Sequence, residues 1–240
     1  MSVHVVAFAA AVFMTIASAV ATGVAAQSIT AAAPDQEAQY FDDELDDLDE
    51  PRRAYRVQSP AEPNRHDRVQ NPAELTAEEA AAIYNDLADD LAATYALSGD
   101  PVTAGYRDWQ RFNAAPYKSM THGRRYVNNY ANEIAARYGR YEAAGRLPVG
   151  SVVAKDSFVV TDDGATGPGP LFVMEKMAES FNYVTGDWRY SMISATGELL
   201  GRTNGQGADR VEFCISCHLA VEDQDHLFFV PEEARLAPGP

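Results

Sequence analysis

Five consecutive residues near the C-terminus, Cys214-Ile215-Ser216-Cys217-His218, constrain this chain more than any other feature. The run is C-x-x-C-H, the spacing at which two thiols and one imidazole can hold a single c-type haem. Each thiol adds across one vinyl group of the porphyrin, so two thioethers fix one edge of the ring. The adjacent histidine then falls beneath the iron as an axial ligand. Cys214 and Cys217 are the only cysteines in 240 residues, so no other thiol competes. Two other uses of C-x-x-C stand beside this reading. A disulfide or thioredoxin-type redox pair follows the first strand of a βαβ pattern, and no such unit precedes this run. Zinc needs two further ligands; the nearest histidine is His226, and there is no second C-x-x-C. The motif predicts one covalently attached haem c, its iron on His218.

Residues 1–26 read as an export signal. Val5 to Val24 is almost wholly apolar or small, and Val24-Ala25-Ala26 places small residues before a cut at Gln27. The n-region, Met1-Ser2-Val3-His4, lacks Lys and Arg. The alternative is a retained membrane anchor, since the stretch is marginally long enough to span a bilayer. Either reading puts the bulk of the protein outside the cytoplasm, in the periplasm, which agrees with haem c attachment after export. No other long apolar run exists, so no integral span is expected in the mature chain. The formal charge is −16, and nine of the 35 acidic residues lie within residues 35–50, which hold no basic one. An acidic chain argues against nucleic acid or anionic membrane as a partner, and could steer a basic redox partner protein.

Residues 27–73 are rich in Asp, Glu, Pro, Gln and Asn, with aperiodic apolar residues, and read as disordered. His66 falls in this tail and reads as inert. The folded domain is expected over residues 74–240. Thr76-Ala77-Glu78-Glu79 is a capping box, followed by helically spaced apolar residues to Tyr95. Gly99 and Pro101 end that helix. A second short helix is expected near 102–113. A third is expected after Gly123, where Tyr126, Tyr130, Ile134 and Tyr138 recur every fourth residue. The pattern then changes. Strands are predicted over 151–160, 171–177, 187–194 and 199–203, with short turns that make neighbours antiparallel. The fold class is therefore α+β: N-terminal helices, then an antiparallel β meander, then a C-terminal haem attachment loop.

From about His122 to Phe229 the chain resembles the cytochrome P-460 family, whose relatives include the β-type cytochromes c-prime. The carrying segments are Leu147 to Lys155, Gly169 to Lys176, Gly186-Asp187-Trp188-Arg189-Tyr190, and Cys214 to His218. The resemblance implies an antiparallel sheet with helices, and an iron five-coordinate on histidine and open on its other side. Several members are homodimers. Members proper carry a lysine joined covalently to the haem and oxidise hydroxylamine. The c-prime relatives lack that bond and bind nitric oxide. By position Lys155 is the first candidate for the cross-link, and Lys176 the second. Strand alternation leaves a solvent-facing Lys155 open as well.

The open side of the iron decides between a small-molecule substrate and a diatomic gas. Phe158, Phe172, Met174, Trp188, Tyr190 and Met192 are the even-numbered strand residues and are expected to share a face. Phe158, Phe172, Met174 and Met192 are accordingly candidates for the distal pocket, with core packing as the plainer role. Asp156 has the same parity and is the candidate carboxylate for a proton relay. A methionine as sixth ligand would instead make the protein an electron carrier. Glu175 and Arg189 are expected to pair across strands. Arg124 and Arg125, with His122, are candidates for haem propionate contacts. His226 reads as a surface or capping histidine, or as a contact to the axial one.

Overall fold

The computed structural model describes residues 66–236. The export signal and the acidic run lie outside the described residues. The first element is helix α1, Ala77–Ala96. The capping box forms as the sequence requires. Thr76 Oγ1 accepts from the Glu79 N–H at 3.2 Å, and the Thr76 N–H donates to the Glu79 carboxylate at 2.8 Å. Ala80, Tyr84, Ala88, Leu91 and Tyr95 make its buried stripe. Among the described residues no helix is long and apolar enough to cross a membrane.

Among the described residues eight strands form one antiparallel sheet: β1 Gln110–Arg111, β2 Tyr117–Ser119, β3 Arg125–Ala131, β4 Val152–Val160, β5 Thr166–Pro168, β6 Leu171–Lys176, β7 Trp188–Ile193 and β8 Leu199–Arg202. The order is β1-β3-β4-β6-β7-β8, with β2 also paired to β3 and β5 to β4. The chain is thus α+β, and strands β4, β6, β7 and β8 lie where the alternation placed them. Glu175 and Arg189 are register partners and form an ion pair.

Two expected helices are not α-helices. Residues 102–113 contain short 3-10 turns, Pro101–Ala104 and Tyr106–Asp108, and then β1. The predicted third helix begins instead as β3 and continues as a 3-10 stretch, Glu133–Ala143. The reason is arithmetic. A four-residue repeat is also a multiple of two, so Tyr126 and Tyr130 can share one face of a strand. Because β3 is buried on both faces, no polar alternation marked it.

Each face of the sheet has its own core. On one, α1 packs Tyr84, Leu91 and Tyr95 over Tyr126, Tyr130, Ala154, Phe158, Leu171 and Ile193. On the other, Val153, Trp188, Tyr190, Tyr138, Leu227 and Val230 pack together beneath a short helix, α2, Glu212–His218. The C-x-x-C-H run therefore lies on a helix rather than in a loop. Residues 66–73, expected to be disordered, lie against the sheet. Val69 N–H donates to the Gly123 carbonyl and Ala73 N–H to that of Val160, both at 2.9 Å.

Candidate haem site

A cavity of about 370 Å³ opens on the α2 side of the sheet. Helix α2 contributes Cys214, Cys217 and His218. Strands β4, β6 and β7 contribute Val153, Lys155, Phe172, Met174 and Tyr190. The segment before α1 and the β2–β3 turn add His66, Arg68 and His122.

His218 is oriented by main chain. Its Nδ1 lies 2.6 Å from the His226 carbonyl oxygen. A carbonyl can only accept, so the proton is on Nδ1 and Nε2 keeps a lone pair. Burial pushes the imidazole down to about 3, against the opposing effect of that hydrogen bond. The ring is therefore neutral at pH 7, the form that ligates a metal. Tyr190 and Phe228 flank it, each with ring centroids 5.1 Å away.

The carbonyl that holds His218 is itself clamped. Asp225 and His226 both adopt left-handed backbone, φ 55° and 61°. Asp225 Oδ1 pairs with Lys176 Nζ at 2.5 Å, and Oδ2 accepts the Leu147 N–H at 2.8 Å. The Asp225 carbonyl accepts from Trp188 Nε1 at 2.8 Å. Lys176 is thereby committed to a buried ion pair and is removed as a candidate cross-link. His226 is buried, not a surface group, and its contact with His218 runs through its backbone.

Lys155 does point into the cavity. It is only 8 % exposed. Burial pulls its ammonium down to about 8, opposed only by Cys217. Phe172 and Met174 line the cavity beside it. Phe158 and Asp156 do not. The register pairs Lys155 with Phe172, an odd residue with an even one, so parity inverts between β4 and β6. Between β6 and β7 it pairs Phe172 with Met192, and parity is kept. Even positions of β4 therefore face α1. Asp156 is buried there, accepting from Tyr84 Oη at 2.6 Å, Tyr106 Oη at 3.2 Å and Asn128 Nδ2 at 3.0 Å. Burial raises its carboxyl despite those bonds. Met192 shares the face of Phe172 but lies outside the lining.

Arg124 and Arg125 do not line the cavity either. Arg125 Nη1 donates to the Asp67 carbonyl at 2.6 Å and to the His122 carbonyl at 3.3 Å. His122 does line it, buried, with its Nδ1 3.0 Å from Ser119 Oγ. Sequence reasoning missed His66, Arg68, Phe213 and Phe228 as lining residues. The first two fell in a segment whose composition read as disordered. Phe213, directly before the first cysteine, was the legible signal.

The donor set fits a haem. Cys214 and Cys217 are free thiols, and burial pushes that of Cys214 up to about 12. His218 offers a free Nε2. Arg68, on the cavity wall, would supply positive charge for a propionate. Tyr190 Oη is a buried hydroxyl with no hydrogen-bond partner, in the cavity wall. A buried orphan of this kind is costly unless something else occupies the space. The family model for cytochrome P460 matches residues 103–229, more than half of the chain. The chain belongs to the cytochrome P460 family. Membership makes it a haem- and iron-binding cytochrome, and the matched span contains the sheet, α2 and most of the cavity wall. No curated protein is found to match the chain.

Proposed function

We propose that this cytochrome P460 is a periplasmic mono-haem c protein that oxidises hydroxylamine or a related nitrogen oxide at an open iron. Cys214 and Cys217 would hold the porphyrin through two thioethers, and His218 Nε2 would be the axial ligand. When bound, the haem supplies the redox-active iron and an edge through which electrons leave to a separate acceptor protein.

The observation that carries this reading is Lys155. A lysine buried in a cavity with no carboxylate partner among the described residues costs stability, which a purely structural residue has no reason to impose. With its pKa near 8, part of its population is the neutral amine at pH 7 to 8. A neutral amine is a nucleophile, the form able to add to the macrocycle when an external two-electron oxidant is supplied, the amine N–H and ring C–H protons leaving to solvent. The other residues have supporting roles. The Asp225 clamp keeps His218 in one tautomer and orientation. Phe172 and Met174 limit water beside the iron. Arg68, at the rim, balances propionate charge.

A second reading is favoured by the aromatic lining of Phe172, Phe213 and Phe228. An apolar pocket at an open iron suits a non-catalytic nitric oxide-binding protein.

The deciding experiment is the absorption spectrum and denatured intact mass of the haem-loaded protein and of Lys155→Ala. A red-shifted Soret band that reverts in the variant, with hydroxylamine turnover lost, is expected. An ordinary high-spin haem c spectrum unchanged by the substitution favours nitric oxide binding. A low-spin His/Met spectrum would sink both.

A further inference from the structure

We propose that His66, carried in by the strap ahead of α1, is the distal histidine of this site. Its imidazole hydrogen-bonds the small ligand on the open side of the iron and accepts a proton when that ligand releases one. This rests on the open-iron reading above and names the group that would work beside it.

The strap is built to place this residue. Arg125 Nη1 binds the Asp67 carbonyl, Val69 N–H reaches the Gly123 carbonyl, and Asp162 N–H reaches that of Asn71 at 2.9 Å. Pro72 bridges to Thr161. Gly123 has φ +76°, and a Cβ there would run into the Asp67 carbonyl oxygen. A side chain at 123 would therefore lift the strap. Residue 66 lies outside the matched residues 103–229.

The cavity geometry separates the two imidazoles. The His66 ring sits among His122, Phe172 and Phe213, with centroids at 5.1, 4.7 and 4.7 Å. The His218 ring sits instead against Tyr190 and Phe228. Both rings line one cavity and share no aromatic neighbour, with Lys155 close enough to act on each.

The chemistry of the lining selects His66 for the proton. Among the described residues no Asp or Glu lines the cavity, and Asp156 is sealed on the other face of β4. Of the basic groups in the lining, Arg68 stays charged and His218 is the proposed iron ligand, which leaves Lys155, His122 and His66. Lys155 is committed in the reading above, and His122 Nδ1 is engaged by the hydroxyls of Ser119 and Thr121. Burial holds His66 near pKa 4, with Arg125 and Lys155 opposing its protonation. At pH 7 it offers one N–H and one lone pair.

Hydrogen cyanide is the probe. It binds ferric iron as the anion, so its proton must leave; the imidazole takes it and returns it to solvent. The experiment measures cyanide association with the full-length, haem-loaded ferric protein by stopped flow, beside the spin state. His66→Leu should stay high-spin and load haem, but bind cyanide about tenfold more slowly or worse. Gly123→Ala should follow it, and His66→Gln should recover part of the rate. The Gln variant decides the matter should the Leu variant load poorly. A high-spin wild type whose cyanide rate is unchanged in His66→Leu overturns this proposal alone. A low-spin wild type, whether or not His66→Leu makes it high-spin, removes the open iron and overturns both readings.

Discussion

Lys155 and Asp156 are adjacent in sequence, face opposite sides of β4, and are both charged groups held out of water. Lys155 has its folded-state pKa depressed, from 10.5 to about 8. Between those values the unfolded chain carries a proton that the folded haem-free chain does not, so stability rises with pH across that window. Below about pH 8 the full cost is present. Lys155→Met should therefore stabilise the haem-free protein at pH 7, by at most about 3 kcal/mol. It should also flatten the stability profile between pH 8 and 10.5, as read by urea denaturation. Asp156 predicts the reverse sign for substitution. Its carboxylate is the common acceptor of Tyr84, Tyr106 and Asn128, with Tyr130 Oη 2.7 Å from Tyr84 Oη. Asp156→Asn offers an amide in place of an acceptor-only group. It should cost about 2 kcal/mol in denaturant titration and leave the haem spectrum unchanged, because the network is on the α1 face.

Among the elements, α1 and the turn at 225–226 are held by opposite means. The α1 N-terminus is exposed and rests on a local capping box, so Thr76→Ala should cost about 1 kcal/mol, measured as a shift in the urea midpoint. The 225–226 turn is buried, strained at two consecutive residues, and held by partners far away in sequence: Leu147, Lys176 and Trp188. Asp225→Ala strands a buried lysine, and breaking such a pair costs about 3–5 kcal/mol. It should also loosen His218, visible as a broadened or altered haem spectrum at temperatures where the fold survives. The capping box was legible because all its parts lie within four residues. The turn was not, because Asp225 and His226 look like any polar pair until the strands that clamp them are assembled.

At the level of the whole molecule, one sheet separates two interiors. The α1 face is a conventional core of apolar side chains and tyrosines. The α2 face surrounds a cavity whose walls come from residues as distant as His66 and Phe228. Damage to one interior should not register in the other. Leu91→Ala, in the first, should destabilise by about 2–4 kcal/mol while the haem absorption of the folded protein is unchanged. Haem attachment, in the second, should raise the melting temperature of the protein over its haem-free form: the thioethers persist in the unfolded chain, but burial of the ring and ligation by His218 are made only in the assembled cavity.

The C-x-x-C-H run, the capped helix and the alternating strands after residue 150 were readable from the chain alone. Each is a short-range signal, set by bond chemistry or by side-chain period within a few residues. Which β4 residues face the cavity was not readable. That depends on whether the paired positions of two strands sum to an odd or an even number, and only assembled register decides it. Lys155 and Asp156 exchange faces on that single fact. His66 was hidden for a related reason. Its segment is polar and aperiodic, with nothing local to order it, and it is placed by carbonyls and amides of strands and turns that lie 50 to 90 residues further along. Composition reports what a segment can bury by itself; tertiary structure supplied the partners that composition could not show.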